Sequence, residues 1–433
     1  QDAQPEKSIC LAVLGGRAPP IGEHIEVPEI GFREGLKLLR RREVGRLGIA
    51  YLVTYTGTAM APIAMAFGVL DLTGSTRDSS IVIAAPTLAA VVVILVGGAV
   101  ADRTSRQKLI VGAESLAMGT QLVIAALFLT GNATVPLLTA LMLLNGIAMA
   151  LNAPASTGLI VQIAERDELQ VVNALLGTAR NGAFALGAAL GGVLVSTLGA
   201  GMTLLIDGLS FGVSALLVAS LHLRAQRPPE AATMLEDLRL GWREFISHTW
   251  LWVIVAQFSL VVAVQESVFG LLGPAVSRDL MAGAKDWGFI AASFGAGTVV
   301  GGFLSLRVNV RHPMRFATLL TFTFVGVPLA LSVPLPVFAV AAAGFVQGIA
   351  GQIFAVLWYT SLQRNISGEM LSRVSAYDHL GSIALAPLGI VAAGFLFEAI
   401  GYRTTLLVGV AIGLISTIAA LSVRDVRTMT TDD

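Results

Sequence analysis

Five ionisable side chains fall inside long apolar runs of this 433-residue chain: Glu114, Arg180, Asp207, Glu266 and Asp378, the last followed by His379. A charged group in such surroundings costs about 2.5–3.5 kcal/mol on membrane-insertion scales, so it marks a functional position by default. A carboxylate held among apolar groups can exchange a proton near neutral pH or receive a cation. Glu266, beside Gln265 and well inside its run, is the first candidate for that chemistry. Asp207 has Ser210 and Ser214 on its helical face and is expected near the outer end of its run. Glu114 is expected to pair with loop cations, and Asp378 to act as a gate partner near Arg373. Arg180 reads either as a cavity-lining group or as the partner of a carboxylate across the bundle.

Neutral side chains add three stripes. Tyr51, Thr54, Tyr55 and Thr58 fall at i, i+3, i+4 and i+7, which places them on one helical face. Asn145, Met149 and Asn152 share another face, and Gln347, Gly351, Phe354 and Trp358 a third. Aromatic and methionine side chains with few charges suit a roomy site for apolar or cationic ligands. Any one stripe is also what ordinary helix packing would look like.

The elements that must position these groups are membrane helices. Hydrophobic residues make up 55% of the chain and charged ones 13%, with a mean hydropathy of +0.78. A soluble domain carries roughly 25% charge, so too little polar surface remains to face water on all sides. Apolar runs of membrane-spanning length occur at 47–70, 80–101, 108–130, 136–160, 171–198, 201–223, 249–272, 286–306, 314–333, 335–360, 373–398 and 402–423. Twelve spans are therefore expected, all of them helices, because lipid leaves no other way to satisfy the backbone. Alternate loops carry most of the basic residues, among them Arg40, Arg41, Arg42, Arg106, Arg307, Arg311, Arg424 and Arg427. The intervening loops hold Arg77, Arg278, Lys285 and Arg403. The positive-inside rule then places both termini in the cytoplasm.

The expected organisation is a disordered or appended tail over 1–34, a six-helix bundle over 35–223, a linker over 224–248, a second bundle over 249–425 and a tail over 426–433. Ile9–Leu14 is too short an apolar run for a secretory signal. In the linker, Leu235, Leu238, Trp242 and Phe245 at helical spacing predict an amphipathic surface helix that tethers the halves or regulates them. The halves repeat: Gly187, Gly192, Gly199 and Thr203 align with Gly389, Gly394, Gly401 and Thr405, each pair 202 residues apart. Gly97, Gly98 and Arg103 align likewise with Gly301, Gly302 and Arg307, 204 apart. Parallel duplication of a six-helix unit is a transporter architecture with its site between the halves.

The loop after the second run reads Gly97-Gly98-Ala99-Val100-Ala101-Asp102-Arg103-Thr104-Ser105-Arg106-Gln107-Lys108. A carboxylate beside guanidinium groups at a membrane boundary can pair with cations or a helix N-terminus and so hold a gate. This loop resembles the signature Gly-x-x-x-Asp-Arg-x-x-Arg-(Arg/Lys) of the major facilitator superfamily. Gly98, Asp102, Arg103 and Arg106 match it; Gln107 stands where a basic residue is usual, and Lys108 follows. Leu169-Gln170-Val171-Val172-Asn173-Ala174 with Gly187–Gly192, and Ser372–Ala376 with Pro387-Leu388-Gly389, resemble the drug:proton antiporter branch that includes enterobactin exporters and macrolide and tetracycline efflux proteins. Ala188 replaces the proline usual before the glycine pair there.

The resemblance implies an all-α fold of two pseudo-symmetric six-helix bundles and proton-coupled efflux of amphipathic molecules across a bacterial inner membrane by alternating access. A siderophore or lysophospholipid carrier of the same fold is the alternative, and a membrane-embedded transferase a more distant one. No Asp-Asp-x-x-Asp run or Gly-x-x-x-x-Gly-Lys-(Ser/Thr) loop is present, which argues against the transferase and against ATP hydrolysis. No repeated filter segment supports a channel. With one cysteine, five scattered histidines and equal numbers of acidic and basic residues, 28 each, neither a metal site, a cofactor nor a nucleic-acid partner is expected. The expected partners are a small-molecule substrate, protons and the bilayer, and the expected state is a monomer. Asp102→Asn should slow turnover with little loss of folded protein, as measured by transport rate per folded transporter.

Overall fold

The computed structural model describes residues 38–103, 105–165, 168–222, 234–333 and 335–430, with no strand among them. The tail over 1–34 and linker residues 224–233 lie outside the described residues. Ten helical stretches are long and apolar enough to cross a membrane. Arg42–Thr73, Thr76–Arg103, Arg106–Leu129 and Val135–Ile163 form the first four spans.

Leu169–Ala219 is one helical stretch of 51 residues, yet Gly199 within it has φ 83° and ψ 170°. The packing partners on either side show a reversal. Ahead of Gly199, Gly48 faces Leu176, Gly187 faces Thr56 and Gly191 faces Met60, so this arm runs parallel to the first span. Beyond it, Gly68 faces Ala200 and Gly57 faces Asp207 and Ser210, so the second arm runs antiparallel. Gly401, at φ 80° and ψ 160°, does the same within Ala386–Ser422. Gly381 faces Val255 and Gly389 faces Ala263 ahead of it, whereas Gly409 faces Val264 and Thr417 bonds Gln257 after it. Two of the ten stretches thus fold back, and twelve apolar segments result. Thr203 and Thr405 each donate to the carbonyl of the preceding reversal glycine at 2.9 Å, so the 202-residue repeat holds down to single hydrogen bonds.

The seventh span is longer than expected: Thr249–Ser267 continues through a π-helical turn, Val268–Leu272, into Gly273–Leu280. Ala284–Ser305 is the eighth. Pro313–Leu320, the 3-10 turn Thr321–Val325 and Gly326–Ser332 make the ninth, and Val337–Asn365 the tenth. Gly368–Ile383 leads into the eleventh. The linker helix is Met234–Ser247, and its Trp242 and Phe245 pack on Tyr377 of the second half with ring centroids 5.4 and 6.1 Å away. The side chains of Leu235 and Leu238 lie outside the described residues. Val426 and Met429, expected in a tail, are buried in the core of the second half. Apolar side chains there find cover against the seventh and ninth spans.

The halves meet at one end of the bundle, the end carrying Gly199 and Gly401. A Cβ on Gly192 would lie 2.7 Å from Gly288 Cα, and one on Gly394 would lie 2.7 Å from the Thr76 carbonyl, so backbones touch where side chains are absent. Ile63, Phe67 and Leu70 of the first half share one apolar core with Leu271, Leu272 and Trp287 of the second. Polar contacts cross as well. Ser75 Oγ and the Arg77 N–H donate to Glu398 at 2.7 and 3.1 Å, Thr76 Oγ1 to the Gly394 carbonyl at 3.2 Å, and Arg278 to the Leu70 carbonyl at 2.6 Å. Towards the end carrying the described termini, each buried cluster belongs to a single half. Among the described residues, a shared apolar core joins the halves at one end and none joins them at the other.

Gly199 has open space around its missing Cβ, so substitution there acts on the backbone alone. Gly199→Ala should cost about 1–3 kcal/mol, seen as a lower midpoint of thermal unfolding in detergent; Gly401→Ala should match it.

Candidate functional site

Each half carries one pocket, built on equivalent helices of the repeat. The first, about 90 Å³, is lined by Tyr51, Thr54, Tyr55, Thr58, Glu114, Met149, Asn152 and Ser156. The polar stripe of the first span thus meets that of the fourth. Tyr51 and Tyr55 pack edge to face, 5.4 Å between centroids. Asn145 turns aside and donates to Thr120 Oγ1 at 3.3 Å. The second pocket, about 180 Å³, is lined by Phe258, Val262, Phe354, Trp358, Tyr359, Asp378 and His379. Phe258 and Phe354 stack with centroids 4.8 Å apart and an interplanar angle of 4°. Asn152 and Ser156 correspond at the 202-residue offset to Phe354 and Trp358, so one pocket is polar where the other is aromatic.

The buried carboxylates belong to the halves rather than to the space between them. Glu114, expected to pair with loop cations, accepts from Ser214 Oγ at 2.9 Å and from Asn152 Nδ2 at 3.5 Å. It sits two turns into the third span, beyond reach of the loop. Asp207 is fully buried and accepts from Gln121 Nε2 at 2.6 Å. It lies eight residues past the reversal, about 12 Å of helix rise, which is inside the bundle rather than near its outer end. Gly57 makes room for it, since a Cβ there would stand 2.7 Å from Asp207 Oδ1. Ser210 stays beside Asp207, whereas Ser214 serves Glu114. Asp378, expected as a gate partner of Arg373, accepts the Trp358 indole N–H at 3.0 Å. Glu114 Oε2 and Asp207 Oδ1 are buried without a partner.

Glu266 differs from all three. It extends the Ile254, Phe258, Val262 line by one further i+4 step, on the face that lines the aromatic pocket. Its side chain is exposed and has no hydrogen-bond partner among the described residues, although protein surrounds it on nearly every side. The neighbouring Gln265 points elsewhere: its Nε2 donates to the Phe324 carbonyl at 2.8 Å, and its Oε1 accepts from Gln347 Nε2 at 2.7 Å. Gln265 and Gln347 therefore tie the seventh span to the ninth and tenth. Arg180 is exposed on the fifth span and lies within electrostatic reach of Tyr51 in one half and Tyr359 in the other. A Cβ on Gly177 or Gly182, which flank it, would enter open space.

At the signature loop, Gly98 lies on the second span, while the side chains of Asp102 and Arg103 lie outside the described residues. Arg106 opens the third span and Lys108 is exposed. Gln107, the departure from the signature, has a task of its own. Its Nε2 donates to the carbonyls of Val218 and Leu221 at 2.9 Å and of Ala219 at 3.2 Å. With Arg46, which donates to the Ser220 carbonyl at 2.7 Å, it satisfies the end of the sixth span. Phe258 and Tyr359 line one pocket and Ser156 the other, and Gln107 bonds the end of the sixth span; sequence alone did not single them out. The Phe258–Val262–Glu266 spacing was the available signal for the first of them.

Two helical halves related by the repeat and packed together at one end define a transporter of the major facilitator fold. The chain matches the transmembrane secretion effector family over residues 36–433 and belongs to it. It is 26% identical over 376 residues to the multidrug efflux pump Tap of Mycolicibacterium fortuitum, covering 83% of this chain and 90% of that one. It is also 26% identical to the Mycobacterium tuberculosis Tap, covering 83% and 88%. Among solved structures it resembles a mutant form of the nucleoside transporter NupG, with a TM-score of 0.70 at 14% identity over 88% of this chain and 99% of that one. A bacterial homologue of the human lysosomal transporter Spinster, inward-facing and unoccupied, gives 0.67 at 15%, covering 88% and 96%.

Trp358→Phe keeps the aromatic volume but takes the N–H from a buried carboxylate. It should cost about 1–3 kcal/mol, read as a fall in the unfolding midpoint that Asp378→Asn in the same background partly reverses.

Proposed function

We propose that this protein exports amphipathic, preferentially cationic, drug-like molecules from the cytoplasm in exchange for protons, working as a monomer in the inner membrane. The observation that carries the reading is Glu266, an exposed carboxylate with no hydrogen-bond partner among the described residues, one helical turn beyond the aromatic pocket on the same face. A cation entering from the end without a shared core would stack on Phe258 and Tyr359 and place its charge towards Glu266. A proton entering from the opposite side would compete for the same oxygen atoms, so the two occupancies exclude each other. That exclusion is the exchange.

The basic loops lie at the end without a shared core, and the positive-inside rule makes that end cytoplasmic, with both termini there. The conformation described is then inward-facing. Opening to the outside requires the Gly192–Gly288 and Gly394–Thr76 seams to separate while new contacts form near Asp102. The multidrug pumps that share 26% identity over most of the chain support a drug-like substrate.

Inside-out vesicles with an acidic lumen should take up a cationic dye, and a protonophore should abolish the uptake. Glu266→Gln should cut gradient-driven uptake by roughly tenfold, about 1.4 kcal/mol of coupling, with the protein still folded. Wild-type uptake by that variant would remove Glu266 from the mechanism. Failure of wild-type protein to take up any cationic or neutral drug would redirect the reading to lipid or siderophore substrates.

A further inference from the structure

A third cavity, about 290 Å³, lies between the seventh, eleventh and twelfth spans, away from the space between the halves. Leu260, Val264 and Ser267 of the seventh span face it, opposite the Phe258–Val262–Glu266 line. Its wall is aliphatic. The two hydroxyls on it are bonded within their own helices, Ser267 Oγ to the Ala263 carbonyl at 2.6 Å and Thr405 Oγ1 to the Gly401 carbonyl at 2.9 Å. A water molecule inside would find no polar partner, so the cavity cannot hold a stable one. Its mouth opens between Leu388, 66% exposed, and Ile412, 37% exposed, on the surface that faces the hydrocarbon of the bilayer.

The repeat shows why the cavity belongs to this half. Ser267, Ala392 and Gly409 stand where the first half has Met60, Leu190 and Asp207. The offset is 202 residues for Ala392 and Gly409 and 207 for Ser267, and packing supports it, since Gly57 faces Asp207 as Val264 faces Gly409. All three positions carry less side chain in the second half. In the first half Asp207, with Gln121 and Ser210, fills the matching space.

We infer that this cavity is a binding site for one acyl chain of a membrane phospholipid, seated from the surrounding bilayer. A dry aliphatic cleft that opens sideways onto hydrocarbon is continuous with the lipid-facing surface, and left empty it would forfeit the dispersion contacts of its whole lining. The occupied stretch of the seventh span, Leu260 to Leu272, is about 18 Å long at 1.5 Å per residue, a length suited to an extended hydrocarbon chain. The site lies wholly within the second half, so a bound chain would travel with that half as it rocks and would hold the twelfth span to the seventh.

The test uses full-length protein in vesicles of phosphatidylethanolamine and phosphatidylglycerol doped with a phosphatidylcholine that carries a diazirine midway along one chain. After irradiation and digestion, residues 385–412 should be labelled several-fold more than 209–216 of the sixth span, where Leu209 and Leu216 are 53% and 74% exposed. Ala392→Phe, which blocks the mouth, should bring the excess to background. Gly409→Val narrows the cavity from within and should do the same, since a Cβ there meets only the end of the Val264 side chain at 3.1 Å. Equal labelling of the two segments in wild-type protein, or an excess that survives both substitutions, overturns the site. Displacement of the label by a transported dye but not by unlabelled phospholipid makes the cavity a substrate station and overturns the lipid assignment.

Discussion

Backbone contact at glycines along two seams is the constraint on which this molecule depends. Gly192 against Gly288 and Gly394 against Thr76 and Ser80 are one contact made twice, because 192 and 394 are repeat partners and 80 and 284 are too. In hydrocarbon no hydrophobic drive presses helices together, so close packing of small residues must supply the adhesion. Any larger side chain at these positions would part the seams, and the apolar core of Phe67, Leu70, Leu271 and Trp287 would go with them. A contact made of van der Waals packing, a few rim hydrogen bonds, the partly exposed Arg278–Asp71 pair at 4.0 Å and Arg77 over the Phe395 ring is also one that can be broken and remade. Buried ion pairs across the same seam would hold it too firmly, since parting them strands charges in lipid.

The repeat fixes the frame and leaves the lining free. Gly199 and Gly401 reverse the chain with nearly the same backbone angles and the same threonine bond, so both halves have the same shape. The pockets built on that shape then diverge. Tyr51, Asn152 and Ser156 make one wall polar; Phe258, Phe354 and Trp358 make the other aromatic. A symmetric pair of identical pockets would bind a symmetric ligand best. Unlike walls facing each other suit a molecule with a polar end and an apolar end.

What the sequence made legible follows from what periodicity reports. Helical spacing along one chain segment identifies a face, so the stripes on the first, fourth and tenth spans could be read, and the structure brings them to two pockets except for Asn145 and Gln347, which bond neighbouring helices instead. The duplication could be read because both copies lie in one chain. Partners across helices carry no such signal. Nothing near Glu114 in sequence points to Ser214 or Asn152, so the nearest loop cations stood in for them. Gly199 reads as one more glycine of the repeat until its φ of 83° shows that it replaces a loop. Gln107 looked like a lapse in a basic signature; three carbonyls at the end of the sixth span explain it.

The distribution of carboxylates carries the last step. Glu114 and Asp207 are hydrogen-bonded to side chains of their own half, and both halves must stay rigid for the seams to reseat. Neither can exchange partners without disturbing helix packing inside a bundle. Glu266 is exposed, it has no bonded partner to surrender among the described residues, and its line of neighbours reaches from the aromatic pocket to the π-helical turn at Val268–Leu272. A π turn is an inserted residue that a helix tolerates at some cost and that tends to occur at functional positions. Here it lies immediately after Glu266 and directly under the apolar core joining the halves. Glu266 is therefore adjacent, through one irregular turn of helix, to the contacts that join the halves.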